Sequence, residues 1–243
     1  PELKGDETLR RRELKNIAEE KYEKAASERD YEEMKRQAQR SSRLTSEMIE
    51  SAKELIRAFG MPVIEAPAEG EAQAAHLVSS GKVYAAISQD YDTLLFGCPR
   101  VVRNLTVSGR RKARGAQATK EVNPELIELT QVLNDAGLER EKLIALGIMV
   151  GTDYNQEGIK GIGPKRGLKL LKEHSIEESF EEAGWEHELD WKEIFDLIKN
   201  MPVEDFDPEW KRPDIPRIKR LLVDEYEFDP DRVDNAIDKL DLK

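Results

Sequence analysis

Apolar residues are sparse and irregular over residues 6–59, a stretch with neither Gly nor Pro, and this pattern predicts long, largely exposed helices. Ser27 with Asp30 predicts a capping box that restarts a helix after Ala26. From Leu44 the positions Leu44, Met48, Ala52, Leu55, Ile56 and Phe59 form an amphipathic stripe, closed by Gly60 and Pro62. Only this last helix is expected to pack firmly. Beyond it the texture changes. Residues 61–66 read as a short buried strand, 69–79 as a helix, and 83–88 as a second apolar strand, with Gly81 before it. A strand–helix–strand unit predicts a parallel sheet and an α/β fold. Residues 99–114 predict a strand and a hairpin turning at Ser108 and Gly109. Asn123 and Pro124 are expected to open a helix to about Asp135, and Leu138 another to about Val150, with Ala136 and Gly137 between them. The remainder reads as helical with acidic linkers, and no internal repeat is visible.

Composition adds bounds. The chain has 243 residues, of which 38% are hydrophobic, enough to bury a sizeable core in one large domain or two closely packed ones. Its one cysteine, Cys98, permits no internal disulfide, so a reducing, intracellular compartment is expected. No apolar run approaches the ~20 residues of a membrane span, so no membrane partner is expected. The net charge of −11 argues against a nucleic-acid partner only on average. Residues 175–243 alone carry 22 acidic and 10 basic side chains. Residues 93–120 carry seven basic side chains and no acid: Arg100, Arg103, Arg110, Arg111, Lys112, Arg114 and Lys120. Residues 158–172 carry five and no acid. Either island could hold phosphates or be an ordinary solvated face.

The candidate chemistry lies in three acidic clusters: Glu69 and Glu71 in APAEGEA, Asp90 and Asp92 in SQDYDT, and Asp153 in GTDYN. A single E-x-E or D-x-D pair is ordinarily a solvated loop or a helix cap, and Asp153 alone reads as a cap or turn residue. Position changes this. Both pairs follow expected strands, at the carboxyl ends where α/β sheets bind ligands. In extended or turn geometry, residues two apart project to one side, so each pair could aim at one point. Convergent carboxylates are costly to desolvate unless a cation offsets them. An all-oxygen donor set suits Mg²⁺ and disfavours zinc. Two such ions about 4 Å apart can stabilise both the attacking and the leaving oxygen of a phosphodiester.

A second signal follows in GIKGIGPKRGLKLLK. Gly161 and Gly163 are expected to allow positive φ and close backbone approach, while Pro164 presets the following helix. The exposed amides at that helix start would face a phosphate. Lys165 and Arg166 occupy the first turn, where cations disfavour the helix itself and an anion would offset them. With Lys169, these residues predict binding to the nucleic-acid backbone rather than to bases.

The string APAEGEAQAAHLVSSGKVYAAISQDYDTLLFG, with GTDYN and GIKGIGPKRG after it, closely resembles the structure-specific 5′ nucleases, and archaeal flap endonucleases in particular. The resemblance covers nearly the whole chain. It implies a PIN-like three-layer nuclease domain, with a partial parallel sheet flanked by helices, a helical arch, and a helix–hairpin–helix element that holds duplex DNA. It further implies 5′ flap endonuclease and 5′–3′ exonuclease activity in replication and repair. The implied cofactors are two Mg²⁺ ions, for which Mn²⁺ can substitute, and a K⁺ ion at the helix–hairpin–helix turn. Glu69, Glu71, Asp90, Asp92 and Asp153 match the family's metal carboxylates, and GIKGIGPKRG its duplex-binding turn. Lys4 and Arg11, about two helical turns apart, match the arch residues that contact the scissile phosphate.

The expected division is an arch segment over residues 1–60, a nuclease core over 61–152, and a duplex-binding and C-terminal helical region over 153–243. The family's N-terminal stretch, with two further metal-binding aspartates, has no counterpart in this sequence, nor does the Q-x-x-L/I-x-x-aromatic-aromatic segment with which the family grips a sliding clamp. The expectation is a truncated form or one piece of a split protein, with the N-terminal segment as a separate chain. Two alternatives stay open: a DNA-binding fragment without catalysis, and a related 5′ nuclease acting on bubbles, gaps or junctions.

Overall fold

The computed structural model describes residues 5–28, 30–41, 44–106, 109–112 and 119–240. Lys4, Ser108 and Arg114 lie outside these. The chain forms two compact units: one of Pro1–Glu7 with Ala66–Phe206, the other of Thr8–Glu65 with Asp207–Lys243. Residues after 206 pack with the N-terminal helices. Among the described residues no helix is long and apolar enough to cross a membrane.

The smaller unit opens with helix α1 (Gly5–Glu28) from Thr8 onward, followed by α2 (Tyr31–Ser41) and α3 (Ser46–Ala58). The expected capping box at Ser27 does not form. Ser27 lies inside α1 and its hydroxyl donates to the Lys24 carbonyl at 2.6 Å. Asp30 caps α2 instead, its carboxylate accepting the Glu33 amide at 3.0 Å. Thr45 caps α3 through the Met48 amide. The apolar stripe of α3 is buried only at its C-terminal end. Ala58, with Leu55 and Phe59, packs on Ile218 and Leu221, whereas Leu44 and Met48 are exposed.

In the larger unit, residues 61–66 leading into it do not form the expected strand. They have no ladder partner among the described residues, and a strand exists only through its ladder. Helix α4 (Gly70–Ser79) follows, then strand β1 (Ala86–Ile87), helix α5 (Asp92–Leu95) and strand β2 (Arg100–Arg103). A hairpin of β3 (Gly109–Lys112) and β4 (Thr119–Val122) comes next. Gly109 pairs with Val122 inside this ladder rather than forming the turn.

Pro124 precedes strand β5 (Glu125–Glu128), and helix α6 (Leu129–Ala136) starts only afterwards. Asn123 and Pro124 therefore do not open the expected helix. Ile127 pairs opposite Val101 and faces the core, and this long-range ladder overrides the local proline signal. The sheet is mixed, in the order β1-β2-β5, with β1 parallel and β5 antiparallel to β2. Its inner face presents Ala86 and Val101 to Ala75 and Val78 of α4 and to Leu94.

The second core of this unit is helical. Helices α7 (Arg140–Val150), α8 (Pro164–Glu173), α9 (Ile176–Ala183) and α10 (Trp191–Lys199) bury Ile144, Ile148, Leu171, Phe180 and Ile194 completely or nearly so. Each such side chain contributes about 1.5–3 kcal/mol of burial free energy. Lys142 on α7 caps α8, its ammonium donating to the carbonyls of Leu171 at 2.5 Å and His174 at 3.0 Å. Helix α4 is fastened by Gln73, whose amide exchanges two hydrogen bonds with the Glu204 main chain at 2.7 and 2.9 Å. The Gln73 tie holds the helix whose N-terminal end carries Glu69 and Glu71.

Candidate active site

Each acidic pair straddles the start of a helix. Glu69 is the extended N-cap of α4 and Glu71 lies in its first turn. Asp90 lies in the bend after β1 and Asp92 begins α5. Glu69 and Glu71 are divided between different partners rather than aimed at one point. The Glu71 carboxylate oxygen Oε1 accepts the Ser88 hydroxyl at 2.5 Å and the Thr93 hydroxyl at 2.9 Å. Ser88 in turn accepts the Asp90 amide at 3.1 Å, so one serine ties the first acidic cluster to the second. Thr93 is fully buried. The hydroxyls flanking the aspartates in S-Q-D-Y-D-T carry this function, and they were the signal available in the sequence.

Glu69 reaches the third cluster. The Tyr154 hydroxyl donates to Glu69 Oε1 at 3.1 Å. Burial, the largest cause, pushes the Tyr154 phenol above its ordinary range. Glu69, Asp153 and Asp92 reinforce the shift, because a phenolate there would face three carboxylates. Tyr154 thus joins the loop of the third acidic cluster to Glu69 of the first. Tyr154, like Ser88 and Thr93, is a residue that sequence reasoning missed, although it adjoins Asp153 in GTDYN.

The loop holding Asp153 is closed by its neighbours. Helix α7 ends at Gly151, with φ of 122°, where a Cβ would come within 2.6 Å of the Gln156 carbonyl oxygen. Buried Asn155 accepts the Thr152 hydroxyl at 2.7 Å and donates to the Ile148 carbonyl at 2.6 Å. Thr152 and Asn155 therefore make the turn expected of Asp153.

Among the described residues, no three His, Cys, Asp or Glu side chains stand close enough to hold a metal ion as they are. The hydroxyls of Ser88, Thr93 and Tyr154 hold the glutamates toward their own segments. The donors are nonetheless all carboxylate oxygens, the type a hard divalent cation takes while retaining part of its water.

The glycine-rich turn follows the Asp153 loop directly, with the Ile159 amide on the Met149 carbonyl at 2.8 Å. Gly161 has φ of 81°, as expected, but Gly163 does not enter the left-handed region. Gly163 instead serves as the extended N-cap of α8, with Pro164 in the first turn. Lys165, Arg166 and Lys169 are exposed on α8. The other basic island is divided. Arg100 donates to the Tyr84 carbonyl and Arg103 to the Gln89 carbonyl, so both guanidinium groups are engaged within the protein. Arg110, Arg111, Lys112 and Lys120 lie on the β3–β4 hairpin. Arg11 lies on α1, and Lys4 falls outside the described residues.

Comparison with known proteins decides the family. Residues 60–153 match the XPG I-region. Flap endonuclease 1 of Staphylothermus marinus is 45% identical over 243 residues, covering 99% of this chain and 69% of its own length. That of Hyperthermus butylicus is 46% identical with the same coverage. The chain belongs to the flap endonuclease family. Its fold agrees with that of flap endonuclease-1 from Methanococcus jannaschii, with a TM-score of 0.70 at 40% identity, covering 88% of this chain and 64% of that one. The catalytic core of Rad2, solved in complex with DNA substrate, shares the fold at a TM-score of 0.66 and 23% identity, covering 83% of this chain and 71% of that one. A flap endonuclease is a nuclease, a hydrolase acting on DNA, and the helix-rich α/β architecture here is the PIN-like one of that family.

Proposed function

We propose that this chain hydrolyses DNA phosphodiesters at 5′ flaps, with Glu69, Glu71, Asp90, Asp92 and Asp153 holding two Mg²⁺ ions, or Mn²⁺ in their place, and the start of α8 holding the duplex. The observation that carries this reading is the pair of hydroxyl bridges that tie the acidic clusters together, Ser88 from Glu71 to the Asp90 amide and Tyr154 from the Asp153 loop to Glu69. When bound, the metal pair supplies a nucleophile at neutral pH and charge stabilisation at the leaving oxygen. Ser88 and Thr93 orient Glu71, and Tyr154 orients Glu69. Gly161, Gly163, Lys165, Arg166 and Lys169 engage the duplex backbone, and Lys4 and Arg11 the scissile phosphate. A K⁺ ion at the turn of residues 158–163 would draw on main-chain carbonyls, donors that suit it. The setting is intracellular, where branched DNA arises.

The test is cleavage of a 5′-flap substrate with Mg²⁺. Asp92→Ala and Glu71→Ala are each expected to abolish cutting and leave duplex binding largely intact; undiminished cutting by either variant sinks the assignment. Bubble, gap and four-way-junction substrates run in parallel distinguish a related 5′ nuclease.

The separation of the carboxylates favours one further reading, that the chain alone binds DNA without cutting. Retained flap binding with no cleavage supports it, and cleavage by the chain alone refutes it. Cleavage that appears only on adding a flap endonuclease's N-terminal segment identifies that segment as a partner chain.

A further inference from the structure

Strand β1 has only two residues, too short to fix the loop that follows by its ladder alone. That loop carries Asp90 and Asp92. Two arginines of the neighbouring strand bracket β1. Arg100 reaches back, its Nε donating to the Tyr84 carbonyl at 2.6 Å while its guanidinium lies 4.6 Å from the Tyr84 ring centre. Arg103 reaches forward. Its Nε and Nη2 both donate to the Gln89 carbonyl, at 3.2 and 3.0 Å. Its guanidinium lies 4.0 Å from the Tyr91 ring centre, and its Nη1 also donates to the Tyr91 hydroxyl. Asp90 therefore sits between two residues gripped by one planar cation. Glu125, opposite Arg103 in the β2–β5 ladder, stands 4.0 Å from Nη1 on the far side.

We propose that Arg103 is a positioning residue for the metal-binding loop, holding Gln89 and Tyr91 so that Asp90 and Asp92 keep their places beside Glu71. A planar fork that donates twice to one carbonyl while stacking on a ring fixes both the position and the rotation of the peptide between them. Lysine cannot reproduce that geometry. Arg100 makes the same kinds of contact at the other end of β1, away from the aspartates, and serves as a matched control.

The proposal rests on the metal reading above, so its test has one arm that needs no metal and no DNA. Amide hydrogen exchange over residues 88–93 is compared in the metal-free protein for the unsubstituted chain, Arg103→Ala, Arg103→Lys and Arg100→Ala. Faster exchange confined to this loop is expected in Arg103→Ala, a smaller increase in Arg103→Lys, and none in Arg100→Ala. The second arm titrates Mn²⁺ into the same proteins, with the affinity of Arg103→Ala expected to fall at least about tenfold while Arg100→Ala is unchanged. Equal exchange in Arg103→Ala and the unsubstituted chain overturns the proposal, as does equal loosening in Arg100→Ala. Failure of the unsubstituted chain to bind Mn²⁺ counts against the metal reading instead, and the exchange arm still decides the role of Arg103. If Arg103→Ala does not fold, Arg103→Lys and Tyr91→Leu carry the comparison, with intermediate loop exchange expected in both.

Discussion

Tyr154 donates its hydroxyl hydrogen to Glu69, 85 residues earlier in the chain, at 3.1 Å. This bond joins the end of α7 to the start of α4, and so joins two of the three acidic clusters. It also places a half-buried phenol in the field of Asp92 and Asp153. The neutral phenol is the form that the folded state favours.

From that preference a pH dependence follows. Burial first, then the surrounding carboxylates, raise the Tyr154 pKa above its unfolded value of about 10. A raised folded pKa contributes stability that is fully present below pH ~10 and is lost as pH rises through the folded value. Tyr154→Phe removes that dependence. Denaturant unfolding between about pH 9 and pH 11 is expected to show a steeper loss in the unsubstituted chain than in the variant. At neutral pH the variant loses a charge-assisted bond worth about 1.5–3 kcal/mol, and parallel pH profiles would show that Tyr154 is not the group responsible.

Glu71 offers a second check. Its Oε1 takes hydroxyls from Ser88 and Thr93, and Thr93 is fully buried. Thr93→Val keeps the shape and removes the donor, leaving Glu71 with the more exposed serine. Partners that orient a metal-binding carboxylate affect metal affinity by about 10–100-fold when removed. Thr93→Val is therefore expected to raise the Mg²⁺ concentration for half-maximal cleavage by at least about tenfold, whereas Thr93→Ser restores it. A titration that leaves all three proteins at the same midpoint would falsify the orienting role.

Gly151 carries a purely structural expectation. Its φ of 122° suits no L side chain, and a Cβ would come within 2.6 Å of the Gln156 oxygen. Gly151→Ala should lower unfolding free energy by at least about 2 kcal/mol, read from denaturant midpoints, because strain and overlap add. Its effect on cleavage should exceed its effect on DNA binding, since the displaced loop holds Asp153 rather than α8. Full stability in this variant would mean that the 151–155 loop rearranges freely.

Elements governed by local chemistry were legible in the chain: the helix closed near Val150, the Pro164 helix start, and the break at Gly137 all stand where the residue pattern put them. What failed depended on distant partners. Residues 61–66 are apolar enough for a strand, yet a strand needs a ladder that no local pattern can supply. Glu125–Glu128 pairs with β2 although the preceding proline reads as a helix start. At the site, the five carboxylates stand out only in combination, as three short acidic clusters of which two follow expected strands. Ser88, Thr93, Arg103 and Tyr154 do not, because a hydroxyl or a guanidinium gains its role only from what folding brings beside it. Arg100 and Arg103 show this most directly. As sequence they belong to a basic island fit for phosphates, and in the fold they hold main-chain carbonyls.

The α8 start yields the last expectation. Lys165 and Arg166 are exposed in the first turn of the helix, where the dipole opposes positive charge and no acidic residue shares the turn; the Arg166 guanidinium stands 3.5 Å from the Gly161 carbonyl oxygen. An anion placed at the helix start would relieve both. Replacing the pair by alanine should therefore leave thermal stability unchanged or slightly higher while weakening duplex binding. Each phosphate contact contributes about 0.9 to the slope of log affinity against log salt, so the double variant should flatten that slope by about two. The loss should be the same for unrelated duplex sequences, because contacts to the backbone carry no base information. Fluorescence anisotropy across a salt series makes the measurement. A lower affinity with an unchanged slope would assign these residues to folding of the turn rather than to phosphate.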